Sequence, residues 1–192
     1  MPITDRSRYS RVAIWLHWLI GLVIIGNLIG GLTLDLFLDS ADLAMKALGF
    51  TIIGLHKSLG LTVIVLTLVR IGWRLANPPP PLPSHMTRAE TLLARGTHLA
   101  FYVLMLAMPL SGWAMVSTGK TLWPIPWFGL FNVPHLPLPR SLGGLFSESH
   151  ELLGWLTIAL IVLHILAGLK HQILDRDDLL ARMLPFLRRR AG

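Results

Sequence analysis

The chain alternates between long runs almost free of charge and short stretches rich in charge or proline. The first apolar run is Val12–Leu34, preceded by Arg6, Arg8 and Arg11. It is longer than the apolar region of a signal peptide and contains His17, two tryptophans and Asn27, so it reads as a retained helix. A second run extends from about Phe50 to Arg74, with Lys57 near its start. A third, Gly96–Gly119, holds no Asp, Glu, Lys or Arg, and its Pro109 predicts a kink. A fourth covers about Ser149–His171. About 20 mostly apolar residues cross a hydrocarbon core, so each run is long enough to span. The expected helices are approximately 10–34, 50–74, 92–118 and 149–173, in one membrane domain covering 1–192.

The connections differ in kind. Segment 35–49 places Asp35, Asp39, Asp42 and Lys46 among leucines, the pattern of an amphipathic segment lying in the interface. The prolines 78–81 and 83 form a stiff spacer that cannot continue a helix. The stretch 119–147 is a loop rich in Trp, Pro, Gly and Phe, whose aromatics suit a membrane interface.

Composition agrees with the pattern. Only 14% of the 192 residues are charged and 53% are hydrophobic, against about a quarter charged in soluble domains. The absence of cysteine excludes disulfides, iron–sulfur ligation, thiolate zinc sites and covalent haem attachment. The net charge of +7 sits at the ends of the apolar runs, which favours membrane lipid over nucleic acid as partner. Thirteen Lys and Arg fall on the side of the termini and the proline run, and four (Lys46, Lys57, Lys120, Arg140) on the other. By the positive-inside rule both termini are expected in the cytoplasm. The fold class is an all-α membrane protein, a four-transmembrane-helix bundle.

Ionisable groups at membrane depth are costly and usually functional. Six of the eight histidines lie within or at the edge of the runs: His17, His56, His98, His150, His164 and His171. His85 and His135 fall in connections, where a solvated histidine is the expectation. His150 and His164 are 14 residues apart, about 40° short of four helical turns and roughly 21 Å along the axis. They share a face at two levels. His17 and His164 each stand six residues from a cytoplasmic-side charge, Arg11 and Lys170, while His56 and His150 lie near the outer ends. Level alone therefore couples His17 with His164 and His56 with His150. Two such couples suit bis-imidazole ligation of two haems between the helices, with nearby arginines as propionate partners. A structural membrane protein without cofactor is the plain alternative. His150-Glu151-Leu152-Leu153-Gly154 opens like a zinc-protease helix, but Gly154 stands where the second histidine belongs.

The chain resembles the bacterial cytochrome b561 family of di-haem membrane cytochromes. The matching pieces are Tyr9-Ser10-Arg11 with Trp15-Leu16-His17-Trp18, and Leu55-His56-Lys57-Ser58-Leu59-Gly60. Val69-Arg70-Ile71-Gly72-Trp73-Arg74, His98-Leu99-Ala100-Phe101-Tyr102 and His150-Glu151-Leu152-Leu153-Gly154 follow, then His164 with His171 ahead of Asp178-Leu179-Leu180-Ala181-Arg182-Met183-Leu184-Pro185. The resemblance implies two haems b held by His17, His56, His150 and His164, in a bacterial inner membrane. One branch of the family takes electrons from superoxide outside and reduces ubiquinone, which implies a superoxide:ubiquinone oxidoreductase with His98 and His171 at the quinone end. Lys57, beside His56, would attract the anion. The alternative is a cytochrome b anchor passing electrons between quinone and a soluble dehydrogenase or periplasmic redox protein docked on loop 119–147.

Overall fold

A computed structural model describes residues 8–177 and 179–184. Arg6, Asp178, Pro185 and Arg188–Arg190, which enter the charge count or the family pattern, lie outside the described residues. Four helices are long and apolar enough to cross a membrane: α1 (Arg11–Leu38), α2 (Leu43–Ala76), α3 (Arg88–Ser117) and α4 (Gly143–Lys170). Each packs chiefly on its neighbour in sequence, α1 on α2, α2 on α3 and α3 on α4.

Local chemistry explains the helix starts. Ser10 caps α1 by accepting from the Ala13 N–H, and Asp42 caps α2 through the N–H groups of Ala44 and Met45. Thr87 and Glu90 form a reciprocal capping box at α3. These caps also correct one expectation. Segment 35–49 is not a separate interfacial element: its first residues complete α1, its last residues open α2, and the chain turns at Asp39–Asp42. The cap at Asp42 starts the next helix there, before the apolar run begins. At Gly49 a Cβ would stand 2.8 Å from Leu38 Cδ2 and 3.1 Å from Phe37 Cβ, so the two helices approach closely at this corner.

Many large apolar side chains on the four helices face outward, which suits hydrocarbon as the surrounding medium. Ile20, Val63 and Met105 form the small apolar centre, with Phe101 and Tyr102 against it. Ser58, Thr67, Ser111 and Thr157 are buried at helix contacts, where short side chains let backbones approach.

Stretch 119–147 is partly ordered by hydrogen bonds. Strands β1 (Pro126–Trp127) and β2 (Phe131–Asn132) pair antiparallel, and their turn uses positive φ at Phe128 and Gly129. Ser58 Oγ donates to the Pro126 carbonyl and accepts from the Phe128 N–H, pinning the ribbon to α2. Tryptophans extend this role beyond interface anchoring. The indole N–H groups of Trp18, Trp73, Trp113 and Trp127 donate to Met183 O, Ser10 Oγ, Pro134 O and Thr62 Oγ1, tying connections and terminal segments to the helices.

Candidate functional site: two histidine couples in the bundle

At one level, the one the charge count assigns to the outer side and called outer below, His56 of α2 and His150 of α4 bring their ring centres to 6.1 Å with planes at 82°. Both rings are held from behind. His56 Nδ1 lies 3.1 Å from the Asn27 carbonyl of α1, and His150 Nδ1 lies 3.1 Å from the Met108 carbonyl of α3. A carbonyl only accepts, so each Nδ1 carries the proton and each Nε2 keeps a free lone pair. That is the arrangement in which a backbone carbonyl behind the ring orients a metal-binding histidine. Ser111, one turn beyond Met108, also contacts His150 Nδ1 at 3.1 Å while donating to the same carbonyl.

A mainly apolar cavity of about 320 Å³ adjoins this couple, bordered by Asn27, Gly31, His56, Lys57, Gly112 and His150. Two of these positions bring backbone close to an imidazole, Gly112 most tightly. A Cβ on Gly112 would stand 2.8 Å from His150 Cε1, and one on Gly31 would stand 3.1 Å from His56 Cε1. Lys57 borders the cavity too, and its Nζ donates to the Pro124 carbonyl at 3.4 Å.

At the inner level, His17 of α1 and His164 of α4 bring their ring centres to 6.0 Å with planes at 67°. His98 of α3 approaches the same His164 ring at 6.1 Å, and Phe101 approaches it at 5.3 Å. Arg70 lies within electrostatic reach of His17, His98 and His164. Its Nη1 is buried and has no hydrogen-bond partner among the described residues. Unpaired buried guanidinium nitrogens are costly, so this atom calls for an anion. A small cleft nearby is lined by Tyr9, Arg70, Trp73, Arg74 and Tyr102, with the Arg74 guanidinium 5.8 Å over the Tyr102 ring.

These couples suit an iron porphyrin. The ring centres of each couple lie 6.0–6.1 Å apart, so His56 with His150 and His17 with His164 would each leave room for one iron bound by a nitrogen of both rings, which would supply one-electron redox chemistry. Arg70 carries the charge that would pair with a haem propionate.

The remaining predicted residues lie apart from one another. His98 meets His164, whereas His171 turns toward Asp175 and Asp177. His85, expected to be solvated, is exposed over 56% of its side chain and also places its Nε2 3.1 Å from Asp177 Oδ2. His135 Nδ1 is buried without a partner among the described residues. The contact between His85 and Asp177 spans 92 residues and carries no local sequence signal.

A four-helix membrane bundle with facing imidazoles at two levels defines a membrane cytochrome of the b type. A family model described as prokaryotic cytochrome b561 matches residues 8–186. The chain is 37% identical over 187 residues to cytochrome b561 homolog 2 of Escherichia coli (strain K12), covering 93% of this chain and 92% of that protein. It is 30% identical over 180 residues to the probable superoxide oxidase CybB of Yersinia pestis, covering 93% and 97%. Cytochrome b562 of Cereibacter sphaeroides is 28% identical over 184 residues, covering 95% and 98%. The chain belongs to the prokaryotic cytochrome b561 family, multi-pass haem b proteins of membrane electron transfer.

Proposed function

We propose that the protein binds two haems b, one between His56 and His150 and one between His17 and His164, and oxidises superoxide while reducing ubiquinone. The observation that carries the haem assignment is the pair of Nδ1 atoms held on the Asn27 and Met108 carbonyls, which leaves an Nε2 lone pair on each of two rings whose centres lie 6.1 Å apart. Bound haem b supplies reversible one-electron redox chemistry. The superoxide assignment is supported by the probable superoxide oxidase among the relatives and by the cation bordering the outer cavity.

The chain's residues then divide the work by level. Lys57 raises the local concentration of the anion at the outer mouth. Two superoxide anions each give up one electron and leave as dioxygen, and one ubiquinone takes both electrons with two protons. Arg70 holds a propionate at the inner level. His98 donates a hydrogen bond to the quinone oxygen, and His171 passes protons at the same end, because imidazole exchanges protons near neutral pH. The protein lies in the bacterial inner membrane with both termini in the cytoplasm, on the strength of the Arg and Lys asymmetry.

Haem quantification on the purified protein gives two haems per chain on this reading; one haem or none would overturn it. Superoxide added by stopped flow to protein in detergent with ubiquinone-1 should yield ubiquinol. His98→Ala should lower ubiquinol formation by about a hundredfold with the haem spectrum unchanged; unchanged turnover would remove its role.

A second reading has its own observation. The ribbon turn exposes Phe128, Leu130 and Phe131, an apolar tip suited to a docked redox partner. A protein acting only as an anchor for such a partner would carry haem but consume no superoxide alone.

A further inference from the structure

The ribbon of β1 and β2 sits in a connection of unusual composition. Positions 121–139 hold no Asp, Glu, Lys or Arg, and five of these nineteen residues are prolines. Connections that face water are polar as a rule, because nothing is gained by leaving charge out of them. Over this length the chain reads more like the helices than like the other loops.

Hydrogen bonds to α2 give the depth of the ribbon. The apolar run of α2 opens at about Phe50 and proceeds inward. Ser58, which holds Pro126 and Phe128, stands eight residues into that run, about 12 Å at the helical rise. Thr62, which accepts from the Trp127 indole, stands four residues deeper. On α4 the same level is marked by His150, seven residues and about 10 Å inside the first residue, Gly143. The ribbon therefore lies beside the helices, below their outer ends. Its base is at Pro124, whose carbonyl accepts from Lys57 Nζ, an ammonium on a stem long enough to reach back toward the surface.

Non-helical backbone at such depth is tolerated where it rests on protein with its polar groups satisfied. The prolines at 124, 126, 134, 137 and 139 have no N–H to satisfy. The Val133 N–H donates to the Ile125 carbonyl, the Leu130 N–H to the Trp127 carbonyl and the Phe128 N–H to Ser58. Ile125 turns inward, 3% exposed, against the outer cavity, whereas Phe128, Leu130 and Phe131 at the turn are 45%, 73% and 58% exposed.

We propose that the ribbon is a re-entrant element of the outer leaflet, with Phe128, Leu130 and Phe131 seated among lipid acyl chains. The outward-facing Leu55 and Val65 of α2 bracket the same depth, so the tip continues the lipid-facing surface of the bundle. A soluble redox partner is steered to its site by charge, and positions 121–139 offer none. A partner docked on this tip would require the tip to stand in water. The placement rests on helical rise and hydrogen bonds, and holds whichever donor feeds the protein.

The chain has no cysteine, so one introduced thiol reports one position. Leu130→Cys and Phe131→Cys are placed in lipid nanodiscs, which leave both faces open to water, and treated with a charged, water-soluble maleimide. Thiols react as thiolates, which apolar surroundings suppress. Both variants should react about a hundredfold more slowly than Lys46→Cys, at the rate of the lipid-facing Leu68→Cys. In the parent protein, a lipid-soluble photoactivated diazirine should label positions 128–131. Unchanged helical circular dichroism verifies the fold of each variant. Reaction as fast as that of Lys46→Cys would put the tip in water, where a partner could reach it, and overturn the proposal. Slow reaction without diazirine labelling would mean that protein covers the tip, and would overturn it equally.

Discussion

The two histidine levels are built differently. At the outer level both imidazoles are clamped by backbone carbonyls on neighbouring helices and border an open apolar cavity. At the inner level His164 is surrounded by the rings of His17, His98 and Phe101, and Arg70, whose buried Nη1 has no hydrogen-bond partner among the described residues, lies within electrostatic reach. The outer couple owes its orientation to main chain, whose position is set by the helices themselves. The inner couple owes its orientation to side-chain packing, with a third imidazole touching the same ring. Preorganisation by backbone is rigid; packing by side chains adapts to what is bound.

The sharpest way to separate the levels is to remove one ligand from each. His150→Ala and His164→Ala should each halve the haem content and lower electron transfer across the membrane by more than about a hundredfold. Haem extraction with reduced-minus-oxidised spectra reads both effects. The surviving absorption band should differ between the two variants, because a different haem remains in each.

A milder break exploits glycine. Gly112→Ala puts a methyl 2.8 Å from His150 Cε1, so the ring must move or the helices must part. Overpacking of this kind costs about 1–3 kcal/mol and should perturb the outer haem band selectively. Gly26→Ala is the control, since nothing lies within 4 Å of its added Cβ. Equal effects of the two substitutions on thermal stability and spectrum would show that the outer ring is not tightly seated.

Electrostatics should divide along the same line. Lys57→Gln should lower kcat/KM for superoxide roughly tenfold and flatten its dependence on ionic strength. The haem potentials should hardly change. Arg70→Gln should do the reverse, shifting the inner potential while leaving the salt dependence of superoxide consumption intact.

The smallest expected effect lies at the end of α4. Burial pushes the Asp177 carboxyl up, but the Leu179 N–H and the imidazoles of His171 and His85 outweigh it and hold the group below the ordinary aspartate range. A depressed carboxyl contributes stability above its unfolded pKa and loses it as pH falls through the folded value. The clasp between the proline-rich connection and the terminal segment should therefore loosen only in strong acid. Hydrogen exchange at the amides of 83–87 would show this limb, and Asp177→Asn should abolish it.

How much of this was legible beforehand varies by feature. The four apolar runs locate the helices because hydrocarbon demands long uncharged segments with internally bonded backbone. Their ends were less legible. Polar residues at 35–49 look like an interfacial segment, yet a single aspartate cap at Asp42 converts half of them into the start of α2. The levels of His17, His56, His150 and His164 follow from counting along each helix, since rise per residue is constant. Counting cannot show that His98 reaches His164 as well, or that Met108 offers its carbonyl to His150.

The amino-acid order alone determined the medium, the number of crossings and the depth of each imidazole, because these depend on hydrophobic length and helical rise within one segment. Tertiary structure decided which rings face each other, which nitrogen keeps its lone pair, and that His85 joins Asp177 beside His171. Those outcomes depend on rotations and approaches between helices distant in sequence, and no local pattern records them.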